Sequence, residues 1–172
     1  GGGTGSGTFI DFGYLLTNAI RRSNISPGIC ETEGIAAIAS VGLTDWPSQM
    51  RNSVALVQEL DHFCKAENIF QAQYGEESLP PDIGKQAPYD LITLVSPRQL
   101  ENNLAENARD AMAILEKKIS DYLFMRLTSK GGRNAFGARI HDMQQNFSSL
   151  PADNHGYPNR YTTFGIGLRQ FP

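Results

Sequence analysis

Apolar side chains along this chain fall into two patterns that alternate. Three short runs are dense in aliphatic and aromatic residues, and three longer stretches repeat them at helical spacing. The first long stretch, residues 9–22, has apolar side chains on nearly every face and closes on Arg21 and Arg22. It predicts a mostly buried helix with cations at its C-terminal end, where the dipole favours them. Ser26-Pro27-Gly28 is a turn, and residues 35–41 (Ile-Ala-Ala-Ile-Ala-Ser-Val) predict a strand covered on both faces. A second helix follows Trp46-Pro47. Met50, Val54, Val57, Leu60 or Asp61, and Cys64 step by threes and fours, with Ser48 as the expected N-cap. Residues 67–88, with Pro80-Pro81, Pro88 and scattered charge, predict a long surface loop.

Residues 89–95 predict a second buried strand, stopped at Ser96-Pro97. The strongest periodicity lies in 99–127. There Leu100, Leu104, Ala108, Ala111, Leu115, Ile119, Tyr122 and Arg126 form one stripe. A continuous helix over that stretch is about 43 Å long at ~1.5 Å per residue. Lys130-Gly131-Gly132 is its expected end, a short helix is expected over 135–147, a polar loop over 151–160 and a strand over 161–169. Helix and strand alternating in this way predict an α/β fold with a mainly parallel sheet.

Composition narrows the function. Of 172 residues 40% are hydrophobic, 15 are Lys or Arg and 18 are Asp or Glu, so the net charge is −3. That balance gives no basic footprint and argues against a nucleic-acid partner. No apolar run is long enough to span a membrane. Two cysteines, Cys30 and Cys64, exclude a disulfide scaffold and suit a reducing, cytoplasmic setting. The chain opens on Gly1-Gly2-Gly3-Thr4-Gly5-Ser6-Gly7-Thr8 without Met and ends on Phe171-Pro172, which reads as a piece of a longer protein.

A Gly-rich turn that opens a helix is a recipe for a phosphate cradle. The glycines let the backbone come close, and free N–H groups point at the anion. A Walker A loop is excluded, since no Lys occurs before Lys65. A Rossmann fingerprint is excluded because Thr8 stands where its last Gly belongs. Ser6 does not sit in an esterase elbow. His62, His141 and His155 lack ligand spacing, and His141-Asp142 reads as an exposed pair.

The heptad Gly-Gly-Gly-Thr-Gly-Ser-Gly resembles the signature loop of tubulin and its bacterial cell-division homologue. Continued through Thr8-Phe9-Ile10-Asp11 and Tyr14-Leu15-Leu16, it is most similar to the bacterial tubulin-like proteins. Asp45 stands seven residues before Asn52, as in tubulin, and 51–63 resembles the family's next helix. The strand ending at Val95 and the long helix after it resemble the last sheet strand and the central helix. The resemblance covers roughly residues 1–127. It implies the C-terminal part of a Rossmann-like tubulin-type GTPase domain and the start of a second domain. Residues 1–127 would be a partial nucleotide-binding domain with its connecting helix at about 99–127, and 128–172 would begin the second.

The same resemblance implies GTP, with Mg²⁺ brought by the triphosphate, and self-association or a protein partner. Gly3, Thr4 and Gly5 would bind the β- and γ-phosphates, Gly2 and Ser6 would shape the turn, and Asp45 would hold the ribose. Asn103 or Asn107 would read guanine, because Ser96-Pro97-Arg98 stands where tubulin places an Asn. The catalytic acid of the family aligns near Arg160, with Asp142 and Asp153 the nearby carboxylates. A non-hydrolysing interaction or scaffold module is therefore the alternative to a GTPase.

Overall fold

The computed structural model describes residues 3–25, 30–39, 47–65, 67–97, 108–131, 134, 137–138 and 161–163. Helix α1 is Gly3–Arg22. Its buried side is Ile10 and Tyr14, one turn apart, with Gly13 between them. The helix starts six residues before the apolar stretch that predicted it, so the Gly-rich segment forms its first turns rather than a loop ahead of it. Once residues 9–14 are anchored in the core, each preceding residue adds a hydrogen bond at little cost in nucleation, and that overrides weak glycine propensity.

Strands β1, Glu33–Ala37, and β4, Leu91–Val95, pair in parallel with Glu33 opposite Leu91 and Ala37 opposite Val95. Their starts are pinned by Asp90, whose carboxylate accepts from the Thr32 amide at 2.8 Å and the Thr32 hydroxyl at 2.9 Å. Strand β5, Tyr161–Thr163, joins the other side of β4, also parallel, so the sheet order is β1-β4-β5. The all-parallel pairing agrees with the expected α/β class. Among the described residues β1 has a neighbour on one edge only.

Parallel strands are covered on both faces. Ala36 and Ile92 pack with Ile10 and Tyr14 of α1 and with Leu56 and Leu60 of α2, Pro47–Phe63. On the other face Thr93 and Glu33 meet α4, Ala108–Thr128, whose Ala111 and Leu115 are buried. The result is three layers: helices, sheet, helix.

Several boundaries differ from expectation. Strand β1 ends at Ala37, opposite Val95, where its partner β4 also ends; the Ile38 amide still donates to Val95 O, and the Ala39 amide donates to Ser53 Oγ of α2 at 2.9 Å. Pro47 begins α2, and Ser48 Oγ binds Gln49 Oε1 instead of capping the helix. Residues 67–88 are not merely a surface loop. They carry the hairpin strands β2, Gln73–Tyr74, and β3, Glu77–Ser78, and the helical turn α3, Pro81–Gly84. Phe70 stacks on Tyr14 with centroids 4.3 Å apart, and Leu79 and Ile83 are buried, so this segment closes the core. Helix α4 ends at Thr128, close to the expected end at Lys130-Gly131-Gly132, and helical backbone recurs at Lys130, Gly131, Asn134, Gly137 and Ala138. Residues 99–107, 139–147 and 164–169 of the expected elements lie outside the described residues.

Candidate functional site

Helix α1 runs antiparallel to the strands. Arg21 pairs with Asp82, well before β4 begins, whereas Phe9 lies against Gly34 inside β1. From Phe9 back to Gly3 is about 9 Å at ~1.5 Å per residue, and from Gly34 on to Ala37 is about 10 Å at ~3.3 Å per residue. The start of α1 therefore lies level with the C-terminal end of β1. Ligands bind at that edge in open α/β sheets. The first four N–H groups of any helix lack intrahelical partners, and here these include Gly3, Thr4 and Gly5. They form a local positive pole for an anion.

The glycines divide into two kinds. A Cβ on Gly13 would meet Pro88 O at 2.6 Å, one on Gly34 the Phe9 ring at 2.7 Å, and one on Gly84 would collide with the Phe70 carbonyl. Packing explains those three. Gly5 and Gly7, by contrast, are exposed, and a Cβ there would meet nothing within 4 Å. Glycine inside a helix costs about 0.5–1 kcal/mol against Ala, and among the described residues no packing contact explains it at these two positions, which share this open space with Gly131 and Gly137.

Two connections leave the same edge of the sheet. One departs after Ala39, where Ser53 holds the chain, and re-enters at Pro47. The other departs after Pro97, with Lys118 Nζ donating to Ser96 O at 3.0 Å, and re-enters at Ala108. Asp45 belongs to the first connection and Asn103 and Asn107 to the second. These three and Gly2 lie outside the described residues. The structure thus brings Gly3, Thr4, Gly5 and Ser6 to the edge together, in the first turns of one helix. Among the described residues no group of three or more His, Cys, Asp or Glu could hold a metal ion.

A groove of about 700 Å³ runs along α1 beside β1, lined by Gly5, Thr8, Phe12, Leu15, Ile35 and Tyr74 among others. Its walls are mostly apolar, which suits a further layer of protein better than a triphosphate.

Sequence reasoning missed a polar cluster on the α4 side of the sheet. Glu33, with 4% of its side chain exposed, is ion-paired with Arg126. Its Oε1 accepts from Thr93 Oγ1 at 2.5 Å and from the Tyr122 hydroxyl at 2.7 Å. Burial pushes the Arg126 guanidinium below its ordinary range, and nearby Glu31 opposes that shift. A charge inside the apolar stripe of the long helix, at Arg126, was the available signal.

Tyr14, Tyr74 and Tyr89 tie α1 to its surroundings. Tyr89 donates to Phe9 O at 2.6 Å, Tyr14 to Gln86 O at 3.0 Å, and Tyr74 to Asp11 at 2.7 Å. Burial raises all three phenols. Tyr89 rises to about 12, Tyr14 has a further push from Cys64, and Tyr74 is raised also by its bond to Asp11. A folded pKa above the unfolded value of about 10 means stability that is intact below pH ~10 and lost as pH climbs toward 12. For Tyr89 alone the loss is roughly 2–3 kcal/mol. Alkaline titration should show phenolate absorbance appearing together with loss of helical circular dichroism. Smooth phenolate formation near pH 10 with the helix signal intact would contradict these contacts.

A parallel sheet layered between helices, with the first helix opening on glycines at its C-terminal edge, defines an α/β domain. A family model described as tubulin-like matches residues 1–172. The chain belongs to the tubulin-like family. No curated protein and no solved structure gives a match in the corresponding searches. Among the described residues no helix is long and apolar enough to cross a membrane.

Proposed function

We propose that this chain forms part of the guanine-nucleotide site of a tubulin-like GTPase of the bacterial kind. The observation that carries the reading is the pair of open glycines, Gly5 and Gly7, in the first turns of α1 at the C-terminal edge of the sheet. In this reading the backbone amides of Gly3, Thr4 and Gly5 hold the β- and γ-phosphates of GTP, with the Thr4 hydroxyl assisting. Gly2 and Ser6 shape the approach, Asp45 holds the ribose, and Asn103 or Asn107 reads the base. Mg²⁺ accompanies the triphosphate and supplies charge neutralisation. The site is cytoplasmic, residues 1–127 supply it, and 128–172 lead into a second domain while lending β5 to the sheet. Self-association or a protein partner would follow from the family.

The test is titration of the full-length protein with labelled GTP and GDP. Thr4→Ala should weaken GTP by about 1.5–3 kcal/mol, the worth of one bond to a charged group, and leave GDP less affected. Asp45→Ala should weaken both alike, because the ribose is common to them. Unchanged affinities in both variants, with the fold intact, would reject the assignment.

Arg160, aligned where the family has its catalytic acid, favours a second reading: a tubulin-like module that binds GTP without hydrolysing it and acts as a scaffold. Phosphate release at saturating GTP separates the two.

A further inference from the structure

One aromatic ring lies between α1 and β1. Tyr89 is 4% exposed, and both elements present a glycine to it. A Cβ on Gly13 of α1 would stand 2.9 Å from its ring. A Cβ on Gly34 of β1 would stand 2.8 Å from it and 2.7 Å from the Phe9 ring. Tyr89 and Phe9 rest on each other with centroids 4.9 Å apart. Glycine weakens both a helix interior and a strand interior, so the fold gives up propensity in two elements to seat this one ring.

Tyr89 is fixed at both ends. Asp90, the next residue, accepts from the Thr32 amide and hydroxyl, and the Leu91 amide donates to Thr32 O at 3.1 Å. The Tyr89 backbone therefore cannot shift against the start of β1 without breaking these bonds. At its other end the hydroxyl donates to Phe9 O at 2.6 Å. That acceptor belongs to the backbone of α1, so the bond fixes the helix itself and not a side chain on it. Tyr14 differs, because its hydroxyl is carried by α1 and donates to Gln86 O at 3.0 Å, outside the sheet. From Phe9 the helix extends back to Gly3, about 9 Å at ~1.5 Å per residue.

On the GTP reading proposed above, on which this rests, we infer that Tyr89 is a positioning residue for the nucleotide. Its ring sets how far α1 stands from β1, and its hydroxyl sets how far α1 is advanced along the strand. Together they hold the amides of Gly3, Thr4 and Gly5 level with the C-terminal edge of the sheet. Tyr89 touches no phosphate and acts through α1 alone. Donors already in place bind a ligand more tightly than donors that must first be ordered.

Titration of the full-length protein with labelled GTP tests this, in Tyr89→Phe with Tyr14→Phe and Thr4→Ala beside it. Tyr89→Phe keeps the ring and its packing and removes the bond to Phe9 O. Its GTP affinity should fall about three- to tenfold, since a positioning bond gives at most its own net worth. Tyr14→Phe removes a hydroxyl bond of α1 without freeing the helix start, and should change GTP affinity by less than about twofold. A purely structural role for Tyr89 predicts that both variants lose stability and keep their GTP affinity. If Thr4→Ala weakens GTP and Tyr89→Phe does not, the positioning role is overturned and the site stands. If neither weakens GTP, the site is rejected and the positioning role with it. Equal losses of affinity in Tyr89→Phe and Tyr14→Phe also overturn the positioning role, because the helix then responds as a whole.

Discussion

Arg126→Ala should destabilise the protein by about 3–5 kcal/mol, the usual cost of leaving one member of a buried ion pair alone. Glu33 has 4% of its side chain exposed and holds Thr93, Tyr122 and Arg126 around it. Without the guanidinium its charge stays under α4 with two neutral donors. A loss of this size is a large share of the 5–15 kcal/mol that stabilises a typical domain. Replacing both members, Glu33→Met with Arg126→Met, should recover most of it, since an apolar pair of similar volume removes the desolvation problem. Denaturant unfolding of the three proteins checks this. A loss below about 1 kcal/mol for Arg126→Ala would place the pair among ordinary surface salt bridges and contradict the burial argument.

The second large effect is at Gly5. Gly5→Val should cut GTP affinity by roughly two to four orders of magnitude, because a β-branched side chain keeps the phosphate from at least two amides worth about 1.5–3 kcal/mol each. Gly5→Ala gives the more telling comparison. A Cβ at Gly5 meets nothing within 4 Å, so Ala should raise the stability of the nucleotide-free protein by about 0.5–1 kcal/mol while weakening GTP. Opposite signs in stability and binding mark a residue kept for a ligand. If Gly5→Ala lowers stability the glycine serves the fold instead, and if GTP affinity is unchanged it holds no phosphate.

The sequence made some elements plain and hid others, for physical reasons. Residues 91–95 were legible because a strand buried on both faces is apolar at successive positions, and Leu91, Ile92 and Val95 are all buried. Helix α2 was legible through its spacing, and Ser53, Leu56 and Leu60 are its buried side. The end of β1 was not. Ile38, Ala39 and Val41 continue the apolar run, and the strand ends where its partner β4 does, at Val95 opposite Ala37. The hairpin at 73–78 is two residues per strand with mostly exposed side chains, too short for periodicity to register. Its anchors, Phe70, Leu79 and Ile83, are single apolar residues scattered among polar ones.

The candidate site was half legible. A glycine-rich helix opening announces itself by composition, and its place at the sheet edge follows from the alternation of elements. The buried cluster around Glu33 is different, because its members come from β1, β4 and α4 and no local pattern joins them. Only Arg126, a cation in an otherwise apolar stripe, hinted at a buried partner.

Hydrogen exchange of the Gly3–Gly7 amides, with and without GTP and Mg²⁺ in the full-length protein, tests the central claim most directly. A phosphate held here should slow exchange by about tenfold or more at Gly3, Thr4 and Gly5, whose amides lack intrahelical partners in the free protein. GDP should slow them less, and the amides of residues 123–128 at the far end of α4 should not respond. Saturation with GTP that leaves the amides of residues 3–7 unchanged, while protecting another part of the chain, would contradict the assignment.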